Sequence, residues 1–185
     1  MKSLKKAFNV QDIYYTPKIL VEILKPILDK HIPKTNVILC PFDTEKSEYV
    51  KCLKEWGYTV KYGSLETGQD FFTHNYGRYD IVISNPPFSR KKEIYQKLFS
   101  ENKPFILLGN LMQINYQEIG YLFFENYPAV QLIIPDKKVS FDGNTSSFCS
   151  GYFSWNVIPK TEYVHIEHNN SNCFYNKENS YLVVV

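Results

Sequence analysis

Asp80-Ile81-Val82-Ile83-Ser84-Asn85-Pro86-Pro87-Phe88 is the stretch on which the reading of this chain turns. Its first five residues form a short apolar run of the kind that fills a strand buried on both faces. Two consecutive prolines then stop the strand. Each fixes φ at about −65° and donates no N–H, and the residue before a proline is driven into extended backbone. Asn85 is therefore held stiffly at a strand's carboxyl end. Its side-chain oxygen stands beside the Pro86 carbonyl, which has no competing local donor. Two such oxygens form a paired acceptor for one planar –NH₂ group.

The pattern around this stretch is an alternation of strands and helices. Upstream, Asp12 to Pro17 form an irregular entry, and an amphipathic helix is expected from about Lys18 to Leu28, with Thr16 as N-cap and Pro17 in the first turn. Ile19, Leu20, Ile23, Leu24 and Ile27 line its apolar face. Asn36 to Cys40 read as a buried strand ending at Pro41-Phe42-Asp43. A helix from about Glu45 to Trp56 follows, closed by Gly57, and Tyr58 to Tyr62 resume a strand. Downstream of the double proline, a helix is expected over about 91–99, a strand over 104–108, a helix over 116–126 and an extended segment over 129–134. Apolar strands alternating with helices imply an α/β fold with a mostly parallel sheet. After residue 138 the texture changes to alternating aromatic segments at 147–157, 162–167 and 180–185, expected as antiparallel edge strands. In open sheets of this type ligands bind beyond the carboxyl ends of the strands. Cys40 to Asp43 and Ser84 to Phe88 both fall at such ends.

Composition limits the alternatives. The 185 residues are 44% hydrophobic and 22% charged, which fits a globular chain rather than a disordered one. The expectation is one domain over 1–185, divided into an N-terminal motif and helix (12–35), an α/β core (36–135) and C-terminal strands (138–185), with no separate target-recognition domain. A net charge of +2 excludes a strongly basic tail but leaves room for a local basic patch. Fifteen tyrosines and thirteen phenylalanines are explained more simply by core packing than by a base-stacking surface. No apolar run approaches the roughly 20 residues of a membrane span, and no apolar leader follows the basic start, so a cytoplasmic location is expected. Cys40, Cys52, Cys149 and Cys173 lack the close pairing of zinc sites, and His165 and His168 should point to opposite faces of an extended segment. No metal site is expected. Nor is there an internal repeat or a low-complexity linker.

These motifs together resemble the adenine-specific N6 DNA methyltransferases, especially the EcoRI-type family and its small phage-encoded relatives. Asn85-Pro86-Pro87-Phe88 matches the family's Asp/Asn-Pro-Pro-Tyr/Phe catalytic motif in full. Tyr14-Tyr15-Thr16-Pro17 matches the N-terminal motif that packs against the cofactor. Cys40-Pro41-Phe42-Asp43 with Glu45-Lys46-Ser47 resembles the EcoRI-type first cofactor loop, and Asp70-Phe71-Phe72 stands in the place of the acidic motif near the cofactor's adenine. Lys138 to Gly143 and Gly151 to Trp155 look like the family's later loop and strand. The resemblance covers about residues 12 to 160.

The resemblance implies a Rossmann-like S-adenosylmethionine-dependent methyltransferase fold and transfer of a methyl group to the N6 amine of adenine in double-stranded DNA. The catalytic residues it implies are Asn85, Pro86, Pro87 and Phe88, with Phe88 against a base flipped out of the duplex. Tyr15, Thr16, Pro17, Cys40, Pro41, Phe42, Asp43, Asp70, Phe71 and Asn85 are expected around the cofactor. Two features depart from the common pattern. The first loop carries Pro41 and Phe42 where most methyltransferases have Gly-x-Gly, and the second strand ends in Tyr62-Gly63-Ser64, without an acid for the ribose hydroxyls. Asp43 is a candidate replacement, and equally a candidate cap for the helix that follows.

Other readings stay open at this stage. Arg90, Lys91 and Lys92 follow the motif where phosphates would pass, with Lys138 a weaker candidate; the plain alternative is a solvated helix start, although cations are unfavourable there. Phe88 fits either base contact or core, and Asp70 either cofactor contact or a turn. The same paired acceptors suit an RNA base or a protein amide, and the fold also suits a non-catalytic binding or inhibitory protein. A homodimer or a protein partner would supply target recognition.

Overall fold

The computed structural model describes residues 15–126, 130–141 and 149–166. Tyr14, Asp142, Gly143, His168, Cys173 and the extended segment expected at 180–185 lie outside the described residues. Seven strands form one sheet: β1 (Val37–Cys40), β2 (Thr59–Tyr62), β3 (Ile81–Ser84), β4 (Phe105–Asn110), β5 (Val130–Pro135), β6 (Ser150–Trp155) and β7 (Glu162–Val164). The order across the sheet is β2-β1-β3-β4-β6-β5-β7. β1 pairs in parallel with both β2 and β3, and β3 with β4.

Period-two alternation divides the strand side chains between two cores. Ile38, Cys40, Ile81, Ile83, Ile106 and Leu108 enter one apolar cluster; Leu39, Val82, Phe105 and Leu107 enter the other. The first is covered by α1 (Lys18–Glu22), α2 (Lys25–His31) and α3 (Glu48–Glu55), which contribute Leu20, Val21, Leu28, Tyr49 and Leu53. The second is covered by α4 (Lys91–Ser100) and α5 (Gln117–Glu125) through Ile94, Tyr95, Leu98, Ile119 and Phe123. Helices on both faces explain why the parallel strands read as continuous apolar runs.

Three local expectations are corrected. The single helix expected from Lys18 to Leu28 is two short ones, because Pro26 has no N–H to give the Glu22 carbonyl and its ring crowds that position. Thr16 is not its cap: Pro17 occupies the N-cap without a side-chain bond, and Thr16 is buried beside the Tyr49 phenol. The C-terminal strands are not all antiparallel. β6 runs antiparallel to β4 and β5, but β7 pairs with β5 in parallel.

The order places the site. From β1 the chain moves to β2 on one side, then returns to lay β3 on the other. The loops leaving β1 and β3 therefore diverge and open a crevice at the carboxyl ends of adjacent strands, the topological switch point of an open α/β sheet.

Candidate active site

At that switch point lies a cavity of about 540 Å³, within the roughly 300–1,000 Å³ range of small-molecule sites. Its walls come from the segments after β1, β2 and β3, together with Tyr15 and Thr16. The sequence-predicted residues Tyr15, Thr16, Pro41, Phe42, Asp43, Asp70, Phe71 and Asn85 all line it, as do Pro87 and Arg90.

Asp43 organises the floor. Its carboxylate accepts the Ser47 hydroxyl at 2.5 Å and, on the other oxygen, the Ser84 hydroxyl. Ser84 ends β3 immediately before Asn85, so one buried carboxylate ties the ends of β1 and β3 together. Burial pushes the Asp43 carboxyl up to about 6, although the two serine hydroxyls pull it the other way. The cap of α3 is Ser47, whose oxygen accepts the Tyr49 N–H; the helix starts at Glu48, later than expected, because residues 44–47 form a turn. Asp43 thus supports the cap instead of being it.

Gly63 closes the next joint. Its N–H donates to the Cys40 carbonyl and its carbonyl accepts the Asp43 N–H. A Cβ at Gly63 would lie 2.8 Å from both the Gln69 side-chain oxygen and the Tyr76 hydroxyl, so the missing acid at the end of β2 coincides with a point of close packing. Beyond it, the Asp70 carboxylate accepts the Phe72 N–H at 3.0 Å, an Asx turn that sends Phe71 into the core. Phe71 meets Phe42 edge-on at 5.2 Å and Phe72 at 5.5 Å, making an aromatic wall.

Asn85 also lines a second, much smaller cleft of about 20 Å³, with Phe88, Gly109, Asn110, Phe141 and Ser150. A single residue therefore faces both spaces. Phe88 is 39% exposed, which removes the core alternative for it. The cleft as it stands holds little more than a water, so a planar base enters only with movement of its aromatic walls.

Several expected contacts are placed differently. Cys40, Pro17 and Pro86 line neither space, and the Cys40 side chain is fully buried in the core. The basic cluster is not a solvated patch. Arg90 stacks on Phe72, with its guanidinium carbon 3.9 Å from the ring centroid. Lys91 is only 6% exposed, its ammonium 4.2 Å from the centre of the Phe88 ring, and burial pulls it down to about 8. Lys92 pairs with Glu118 at 2.8 Å, and Lys138 is exposed. Sequence reasoning missed Thr44, Glu48, Leu65, Glu66 and Gln69 as cavity residues. They follow β1 and β2 directly, and position past a strand end was the one signal that could have found them. Among the described residues there is no metal-binding cluster and no helix long and apolar enough to cross a membrane.

Comparison with known proteins agrees with this geometry. Residues 61–141 match the family model described as adenine-specific methyltransferase EcoRI. A 47-residue segment is 40% identical to the type II methyltransferase M.EcoRI of Escherichia coli, covering 25% of this chain and 14% of that protein. In three dimensions, a modification subunit of a proposed type I restriction enzyme from Vibrio vulnificus YJ016 superposes with a TM-score of 0.59 at 11% identity, over 89% of this chain and 49% of that one. A proposed class I S-adenosylmethionine-dependent methyltransferase from Listeria monocytogenes gives 0.52 at 13% identity, over 88% and 68% of the two chains. This chain therefore spans a small part of M.EcoRI and about half of the Vibrio subunit. It has the fold of the S-adenosylmethionine-dependent methyltransferases and, over residues 61–141, is similar to the EcoRI-type adenine-specific methyltransferases.

Proposed function

We propose that this protein transfers a methyl group from S-adenosylmethionine to the N6 amine of an adenine flipped out of DNA. The observation that carries the reading is the position of Asn85, on the boundary between the large cavity and the small cleft. A methyl group passing from one ligand to the other would cross at that residue.

The large cavity suits the cofactor. Asp43, Glu48, Glu66 and Asp70 line it against Lys46 and Arg90, an excess of carboxylates that favours a cationic ligand. Phe42, Phe71 and Phe72 offer an apolar aromatic wall for a purine. When bound, S-adenosylmethionine supplies a methyl group activated by its sulfonium. The protein's task is alignment and charge. The Asn85 side-chain oxygen and the Pro86 carbonyl accept the two amine hydrogens, drawing the nitrogen toward tetrahedral geometry and freeing its lone pair. The same oxygens stabilise positive charge developing on nitrogen in the transition state. Phe88 stacks on the base, and the proline pair keeps Asn85 in place without reorganisation.

Incubation with methyl-labelled cofactor and unmethylated duplex DNA tests this. Label is expected on adenine N6, falling by at least about a hundredfold in Asn85→Ala. Label on RNA or on a protein amide alone would redirect the acceptor. Cofactor binding without transfer to any acceptor would favour a binding role. The described residues form a single sheet, and we read 1–185 as one methyltransferase-like unit acting in the cytoplasm. We also propose that a second copy or a protein partner contributes to sequence recognition beyond the flipped base. Light scattering with and without DNA checks this, and a stringent target for a monomer acting alone would exclude it.

A further inference from the structure

We propose that Arg90 is a positioning residue of the cofactor site, holding its aromatic wall from the acceptor motif, and is not a DNA-phosphate contact. The inference rests on the cofactor reading of the large cavity given above. Arg90 ends the 3-10 turn Phe88–Arg90 that follows the double proline, and its N–H donates to the Pro87 carbonyl at 3.3 Å. Its side chain turns back into the cavity. There the guanidinium carbon lies 3.9 Å from the Phe72 ring centroid and one nitrogen 4.0 Å from Asp70 Oδ1. That same oxygen accepts the Phe72 N–H.

The three groups close a triangle. Asp70 holds the Phe72 backbone, Arg90 covers the Phe72 ring, and the guanidinium lies against the Asp70 carboxylate. Each contact limits the freedom of the other two. Removing Arg90 releases the outer face of Phe72 and leaves the Asp70 turn as the wall's remaining restraint. A planar ligand entering the cavity would then have to order the wall itself, at a cost in affinity. The residue type matters as well as its charge. A guanidinium presents a flat face to a ring and an edge to a carboxylate at once, whereas an ammonium is a point charge that does only one of these well. The arrangement also explains an arginine placed just before α4, where its charge opposes the helix dipole: its partners lie in the cavity wall.

The test uses the full chain as wild type, Arg90→Met, Arg90→Lys, Phe72→Leu and the double variant. In ligand-free protein, Arg90→Met should speed hydrogen exchange at the Phe72 amide. By calorimetry, the Kd for S-adenosylmethionine should rise about tenfold in Arg90→Met and nearly as much in Arg90→Lys. Adding Arg90→Met to Phe72→Leu should cost little more, since the stacking partner is already gone. In turnover the loss should fall on the cofactor KM, with the salt dependence of DNA binding unchanged. Unaltered exchange and cofactor Kd in Arg90→Met overturn the assignment. So does a DNA salt slope reduced by about one, the mark of a lost phosphate contact. A wild-type protein that binds no cofactor at all would instead defeat the functional reading, and the exchange measurement would still report separately whether the triangle exists.

Discussion

Ser84 donates its hydroxyl to the Asp43 carboxylate, joining the last residue of β3 to the loop that leaves β1. The bond lies at the base of the crevice, one residue before Asn85. It fixes the acceptor motif relative to the cavity and places a buried carboxylate next to both.

Asp43 should make cofactor binding depend on pH. Burial raises its pKa from the ordinary 3.8 to about 6. The sign follows: this group's contribution to folding stability is fully present below about 4 and lost as pH rises through about 6. A cationic ligand prefers the ionised form. The Kd for S-adenosylmethionine should therefore fall by about tenfold between pH 5 and pH 7, with proton release on binding at the acid end. S-adenosylhomocysteine, which lacks the sulfonium charge, should respond less. Calorimetry at pH 5, 6 and 7 decides it, and parallel pH profiles for the two ligands would remove Asp43 from the cation's surroundings.

Lys91 should be an energetic burden on the fold. Its ammonium is buried over Phe88, and burial holds it at about 8, below the ordinary 10.5 of a lysine. Between those values the unfolded chain binds more protons than the folded one, so stability attributable to this group rises with pH from about 8 to about 10.5. Lys91→Met keeps the length and the apolar stem. It is expected to stabilise the protein by about 1–3 kcal/mol at pH 7, the gain shrinking toward pH 10. Urea melts of both proteins across that range measure it. A pH-independent difference would mean that the ammonium is not what costs.

Tyr152 should hold the N-terminal segment against the core. Its hydroxyl donates to the Leu20 carbonyl at 2.7 Å and meets the Tyr49 hydroxyl at 3.0 Å, and Thr16 in turn reaches Tyr49. Tyr152→Phe leaves a buried carbonyl and a buried phenol short of a partner. A loss of about 1–3 kcal/mol in urea melts is expected. A change below about 0.5 kcal/mol would show that water replaces the missing hydroxyl.

The centre of the sheet was legible because β1 and β3 are apolar on both faces and each is followed within two residues by a proline. Asn36 to Cys40 and Asp80 to Ser84 read as strands for the reason that both cores claim their side chains. The parallel pairing of β7 was not legible, since Glu162 to Val164 alternate in the same way whichever direction the neighbour runs. At the site, the motif's place past a strand end was enough to bring Asn85 and Asp43 together. What failed was charge. Arg90 and Lys91 read either as phosphate contacts or as solvated cations at a helix start, because sequence spacing does not reveal a ring beneath each one, Phe72 and Phe88. Cys40 failed for a simpler reason: the last residue of a strand still points by the strand's alternation, in this case into the core.

Glu66 is the strongest remaining candidate for the ribose hydroxyls. The end of β2 carries Gly63 where an acid is usual, and a side chain there would have to displace those of Gln69 and Tyr76. Asp43 is poorly suited, because both of its oxygens already accept serine hydroxyls. Glu66 lies three residues past Gly63, in the 3-10 turn Leu65–Thr67, and lines the cavity. That turn is fixed by Thr67, whose hydroxyl bonds back to the Ser64 carbonyl while accepting the Ser64 N–H. A carboxylate on a short rigid turn accepts two vicinal hydroxyls well, but it is exposed, so water competes and the gain is modest. Glu66→Gln should raise the cofactor Kd by about three- to tenfold, while Glu66→Asp, one carbon shorter on the fixed turn, should recover little. The discriminating ligand is the 2′-deoxyribose analogue of S-adenosylhomocysteine. It should bind wild type more weakly than the parent and bind Glu66→Gln almost as well as the parent does. Equal penalties for the deoxy analogue in both proteins would place the ribose against some other residue.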